Sequence, residues 1–150
     1  MAADGRGNLH VAFMSSRRAH SDIYLKSYVG GEWQNEIRLS DASRYARAND
    51  WNPAIVADHD GTVWVAWDSY ATGSYNICLR SVKNGQPGPL LKVTDTTRFH
   101  VRPNLAVDGQ NRVWIAWDES RENWAKDVGF LLSGGTGIYD SRSIKIAIYA

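Results

Sequence analysis

Val63-Trp64-Val65-Ala66-Trp67-Asp68 returns at Val113-Trp114-Ile115-Ala116-Trp117-Asp118, and a weaker copy, Leu9-His10-Val11-Ala12-Phe13-Met14, stands near the start of the chain. The stretch is rich in β-branched and aromatic residues and has no helical period, so it reads as a strand. Side chains alternate along a strand. Trp64, Ala66 and Asp68 therefore share one face, and Val63, Val65 and Trp67 the other. Both faces are largely apolar, so the strand needs cover on both sides, as in stacked sheets. The small Ala66 between two large residues lets a neighbouring sheet come close.

Working outward, each copy follows an aspartate and a tight turn: Asp4-Gly5-Arg6-Gly7-Asn8, Asp58-His59-Asp60-Gly61 and Asp108-Gly109-Gln110-Asn111. The aspartates are 54 and 50 residues apart. Gly and Asn tolerate positive φ, so these are hairpin turns by composition. A sheet of about four strands recurring every 40–50 residues or so is the mark of a propeller blade. The expectation is an all-β fold, a β-propeller fragment of about three four-stranded blades, roughly 1–50, 51–101 and 102–150, in one domain. In the middle blade, strand a is expected at 53–57, b at 62–68, c at 75–82 and d at 89–94. In the third, a falls at 104–107, b at 112–118 and c at 127–132, with a last alternating strand at 143–149. The first blade shows b (8–14), c (22–29) and d (36–40) but no strand a. Three blades do not close a ring. The expected partner is the chain itself, a homodimer completing a six-bladed ring, with the last strand supplied across the junction.

The pattern Pro-x-x-x-x-Asp, turn, Val-Trp-x-Ala-Trp-Asp covers nearly the whole chain and resembles bacterial six-bladed propellers with sialidase-like and TolB-like repeats. The tail, with Trp117-Asp118-Glu119, Asn123-Trp124, Lys126-Asp127, Tyr139 and Arg142, resembles the closing part of propellers in large multidomain proteins. That likeness implies a half-propeller derived from something larger. The sialidase Asp box is matched poorly: Gly61 fits, but His59 stands at its Asp and Val63 at its Thr. Sialidase chemistry is not carried over.

A net charge of +1 gives no long-range attraction to nucleic acid or an anionic membrane. No stretch is long enough to span a bilayer, and the N-terminus lacks a secretory pattern, which leaves secretion of a longer parent open. Cys78, the single cysteine, excludes an internal disulfide and sits in an apolar run, where packing is its expected role.

Residue types present in every repeat belong to the fold. On that test Asp4, Asp58 and Asp108 are turn caps, and Asp22, Asn76 and Asp127 open strand c. Pro53 and Pro103 open strand a, where a missing N–H is tolerated. The departures gather in the b–c and d–a loops, which emerge on one face. There His20, His100 and Glu119 are candidate catalytic groups. Arg17, Arg47 and Arg102 are candidate anion binders, and Tyr45, Tyr70 and Trp124 candidate substrate platforms. Glu119, Glu122 and His100 are a candidate set for a divalent metal ion, calcium or zinc. Six-bladed propeller hydrolases of similar architecture imply metal-assisted hydrolysis of an ester, lactone or phosphotriester by water. The alternative is a carbohydrate- or peptide-binding module, and the third reading a structural remnant without activity.

Overall fold

The computed structural model describes residues 1–17, 20–40, 49–122 and 141–149. It is built of three antiparallel sheets. The first holds β1 (Ala2–Ala3), β2 (Leu9–Ser15), β3 (Asp22–Val29), β4 (Glu32–Trp33) and β5 (Ile37–Arg38). The second holds β6 (Asp50–Ala57), β7 (Val63–Ser69), β8 (Asn76–Lys83), β9 (Gln86–Pro87) and β10 (Leu91–Lys92). The third holds β11 (Phe99–Val107), β12 (Val113–Ser120) and β13 (Ser143–Tyr149), in that order. Among the described residues no helix is long and apolar enough to cross a membrane.

Three expectations are corrected. The first blade does have an inner strand, the two-residue β1, paired with β2 at Ala2↔His10 and Ala3↔Leu9. The last strand does not leave its own sheet: β13 pairs with β12 from Val113↔Tyr149 to Glu119↔Ser143, in the place a strand c would take. The 127–132 segment lies outside the described residues. Finally, Pro53 and Pro103 do not open their strands. Each sits at a bulge inside one, between Trp51 and Ala54 in β6 and between Val101 and Asn104 in β11. The preceding residues Asn52 and Arg102 have φ of 50° and 56°. A bulge leaves one residue out of the ladder, so proline's missing N–H costs nothing there.

The two faces of the repeated strand do what their alternation requires. Val63, Val65 and Trp67 pack with Cys78 and Val82 against Ile23, Leu25 and Leu39 of the first sheet. Ala66, Ile77 and Leu79 pack against Ile115 and Trp117 of the third. Trp67, Val65, Ala66, Ile77, Leu79 and Ile115 are at most 1% exposed. The middle sheet is thus sandwiched, with Ala66 fully buried on the face turned to the third sheet.

The turn aspartates act as caps. Asp58 Oδ1 accepts from the backbone N–H of Asp60 and Thr62, and its Oδ2 from the Trp64 indole at 2.9 Å. Asp108 repeats this with Gln110, Arg112 and Trp114, and Asp4 accepts from Arg6 and Asn8. Burial alone would raise Asp4, but bonds from Asn8 and Arg6 outweigh it and hold the carboxyl at about 2. The bond from the Trp114 indole holds Asp108 well below the ordinary carboxylate range. Cys78 is buried as expected, and burial pushes its thiol up to about 12.

Candidate functional site on the loop edge

The b–c and d–a connections of the second and third sheets meet at one edge. The antiparallel ladders bring them there, since Phe99 pairs with Ser120 and Asp50 with Ser69 at the same end of their strands. Thr72, Gly73 and Ser74 of one loop face Asp95, Thr96, Thr97 and Phe99 of the next, and Glu122 of the third sheet closes the side. They enclose a cleft of about 420 Å³. The Thr97 hydroxyl donates to Glu122. Asn76 braces the wall by donating to Ser74 Oγ and the Thr96 carbonyl and accepting from Thr94 Oγ1 and Thr96 N.

Phe99 connects the cleft to an aromatic group. Tyr75 lies 5.1 Å from Phe99, 4.8 Å from Tyr70 and 5.5 Å from Trp51, centroid to centroid. Tyr75 and Phe99 are buried, whereas Tyr70 is 41% exposed. Tyr70 thus offers a ring to solvent from a packed base, an arrangement that costs little ordering when a ligand stacks on it.

Charged candidates gather beside the cleft. Glu119 has Arg98 Nε at 3.1 Å, Lys145 Nζ at 3.6 Å and His100 Nδ1 at 3.7 Å. Asp118 pairs with Arg142 and lies 3.8 Å from Arg102 Nη1. The Arg102 side chain is 56% exposed, while its backbone N–H donates to Asp68 of the second sheet.

His100 is 2% exposed, and both ring nitrogens are engaged. The Trp117 indole donates to Nδ1 at 3.0 Å. An indole only donates, so Nδ1 is the acceptor, Nε2 carries the proton, and Nε2 donates to Thr96 Oγ1 at 2.8 Å. Burial, opposed by Glu119, pushes the His100 pKa down, which agrees with a neutral ring. A metal needs a free imidazole lone pair, and here that lone pair is taken. Among the described residues no three His, Cys, Asp or Glu side chains are grouped to hold a metal ion. As placed, Glu119, Glu122 and His100 therefore do not fit a cation, and Glu119 is already paired with Arg98 and Lys145.

Other candidates find partners within the first sheet. Arg17 pairs with Glu36 at 2.8 Å and lies 4.5 Å over the Tyr24 ring. His20 Nε2 is 3.4 Å from Asp22 Oδ2, and Asp22 is also bound by Arg38 at 2.5 Å and by Ser40. Arg47, Tyr45 and Trp124 lie outside the described residues. The structure thus ties His100 to the cleft wall at Thr96 and Glu119 to His100, puts Glu122 in the lining and Tyr70 against Phe99, pairs Arg102 with Asp118, and gives Arg17 and His20 separate partners around the first sheet.

Sequence reasoning did not single out Lys145, Thr96 or Thr97 for the site, and it put Asp50 in a d–a loop without a role. Asp50 takes in the second sheet the part His100 takes in the third: Trp67 donates to its Oδ1 at 3.0 Å. It is 5% exposed, and burial raises it to about 6. The signal was the constant Trp67–Asp50 and Trp117–His100 spacing; the exchange of Asp for His hid it.

No family profile and no curated protein matches the chain. Solved structures do. A Hadza microbial sialidase, Hz136, is similar at a TM-score of 0.63 and 11% identity, over 95% of this chain and 35% of that one. A thermostable family-43 glycoside hydrolase is similar at 0.53 and 13%, over 97% and 51%. A protein of unknown function from Dyadobacter fermentans DSM 18053 is similar at 0.58 and 11%, over 79% and 35%. The chain spans between 35% and 51% of the length of these structures. At such identities the likeness concerns fold alone. The sialidase and the family-43 hydrolase have β-propeller folds, and the three stacked antiparallel sheets of this chain are of that class.

Proposed function

We propose that the chain is a carbohydrate-binding propeller module that takes a glycan on its loop edge. The observation that carries this reading is the cleft of about 420 Å³ lined by hydroxyls and carboxylates, with the exposed Tyr70 ring set edge-on to its lining residue Phe99 at 6.4 Å. A sugar presents hydroxyls around its edge and C–H groups on its faces. Thr72 can donate to or accept from the hydroxyls, the Thr97 oxygen can accept while its own proton goes to Glu122, and Asp95 and Glu122 accept from them. Tyr70 offers the face on which a pyranose ring stacks. The glycoside hydrolases among the structural neighbours support a carbohydrate ligand as the first class to test.

The test is binding to a panel of oligosaccharides by calorimetry, with and without chelator. Retained binding in chelator, weakened at least tenfold by Tyr70→Ala and by Thr97→Val, supports the module. Binding that both variants leave unchanged would remove the cleft from consideration.

Hydrolysis of an ester, lactone or phosphotriester is the second reading, and the pair His20–Asp22 favours it. A carboxylate 3.4 Å from Nε2 can orient an imidazole as a general base toward water. Turnover of an ester panel, lost in His20→Ala and retained in Tyr70→Ala, would place chemistry there.

A further inference from the structure

We infer that the chain has a second ligand site, at the turn end of its strands opposite the loop edge, where a cavity between the first two sheets takes a small organic acid. The inference goes beyond the glycan reading and does not depend on it.

The cavity follows from a departure in the repeat. Trp64 and Trp114 each stand six residues after a turn aspartate, and His10 stands six residues after Asp4. The ladders agree, since Trp64 pairs with Ser81 and His10 with Ser27. Trp64 packs into the junction of the second and third sheets, and its indole donates to Asp58. The smaller imidazole of His10 leaves the matching place between the first and second sheets unfilled, and a cavity of about 460 Å³ lies there. The turns differ in the same sense. Asn111 Nδ2 donates to Asp60 Oδ2 at 3.0 Å and ties the turns of the second and third sheets together. One junction earlier these two positions hold Gly61 and Arg6. Gly61 has no side chain to make the tie, and Arg6 Cζ lies 4.0 Å from where a Cβ on Gly61 would stand. Both sheets that wall the cavity belong to this chain.

The wall offers an apolar surface and two hydrogen-bond donors. Leu25, Val29, Ile37, Val63 and Val82 supply the surface. Arg6 is exposed and makes no ion pair among the described residues, which leaves its guanidinium open to an anion. His10 is the second donor, and it is only 6% exposed. Its Nδ1 is 2.8 Å from Ser27 Oγ and its Nε2 is 3.5 Å from Asp4 Oδ2. A lone pair on Nε2 would face that carboxylate and be repelled by it. Nε2 therefore carries the proton, and Ser27 donates to Nδ1. At its distance from Asp4, Nε2 makes no hydrogen bond. It is a buried donor without an acceptor, which folded proteins rarely leave unmet. Asp4 is itself occupied, accepting from the backbone N–H of Arg6 and Asn8 and from the Asn8 amide.

A ligand that answers all three features has acceptor oxygens, a negative charge and an apolar body. A carboxylic acid with a short hydrocarbon or aromatic part is the simplest such molecule. Its carboxylate meets Arg6 and the Nε2 proton of His10, and its hydrocarbon covers the valines, Leu25 and Ile37.

The experiment titrates the full chain with 4-methylpentanoate and with benzoate, and follows backbone amides by two-dimensional nuclear magnetic resonance. Shifts are expected at Ser27, Gly61 and Val82 and not at Gly73 or Thr97. The uncharged amides of the two acids should bind about tenfold more weakly or worse, as should the acids to Arg6→Gln, since each loses a charge-assisted pair. His10→Trp restores the residue that the other two repeats carry, and is expected to fill the cavity and abolish the shifts with the rest of the spectrum retained. Arg6→Gln, at an exposed position, decides the matter even where His10→Trp does not fold. A cavity that holds water only would give no shifts at millimolar acid and overturns the inference. Equal binding of acid and amide overturns it too, as does binding that Arg6→Gln leaves unchanged or shifts centred on the loop edge.

Discussion

Replacing Asp50 with asparagine separates one buried charge from the rest of the protein. Asp50 is 5% exposed and accepts from the Trp67 indole. Burial raises its pKa to about 6 from the ordinary 3.8. The native state therefore holds this proton more tightly than the unfolded chain does. The stability it contributes is fully present below about pH 4 and is lost as pH rises through about 6. A difference of about two decades in proton affinity is worth about 3 kcal/mol. The amide introduced by Asp50→Asn keeps an oxygen for Trp67 and has no charge to desolvate, so any cost it carries is independent of pH. The difference in unfolding free energy, variant minus wild type, should rise by about 3 kcal/mol between pH 4 and pH 7.

His100 works in the opposite sense. Burial lowers its pKa from 6.5, so its contribution is present above that pH and is lost as pH falls. It is common to both proteins and cancels in the difference. The assay is urea unfolding followed by tryptophan fluorescence at four pH values and one fixed chain concentration. Parallel pH profiles for the two proteins would refute the claim that Asp50 is a desolvated acid.

Three further outcomes test the framework. Asp58→Ala strips partners from the N–H groups of Asp60 and Thr62 and from the Trp64 indole, and should cost about 2 kcal/mol in the same urea assay. His100→Ala should also cost about 2 kcal/mol or more, because the Trp117 N–H is left buried without an acceptor; His100→Asn, which can still accept, should recover part of it. Cys78, with its thiol at about 12, should resist a thiol-specific reagent at pH 8 until the protein is unfolded. Fast labelling of the native protein would contradict its burial.

The caps at Asp4, Asp58 and Asp108 were legible because a turn is a local event, governed by residues within a few positions of each other. The face assignment of Val63–Ser69 was legible for the same reason, since alternation is a property of the strand. The bulges at Pro53 and Pro103 were not. A proline reads as a boundary, and only pairing on both sides shows that the strand continues through it. His100 stood out as a departure from the repeat, yet Trp117 shows that it fills the acceptor position that Asp50 fills one sheet earlier. Residue type alone did not carry that equivalence, because an indole N–H is satisfied by a carboxylate or by an imidazole.

By itself, then, the sequence determined that this chain folds into repeated antiparallel sheets with aspartate-capped turns. Those features arise from interactions between near neighbours and from a period that can be counted. The tertiary structure decided that Ser143–Tyr149 pairs with its own sheet and that Glu119 sits among Arg98 and Lys145. It also decided that Tyr70 rests on Tyr75 and Phe99 beside a cleft. These contacts join positions far apart along the chain. Their geometry follows from how the sheets stack, which no local pattern encodes.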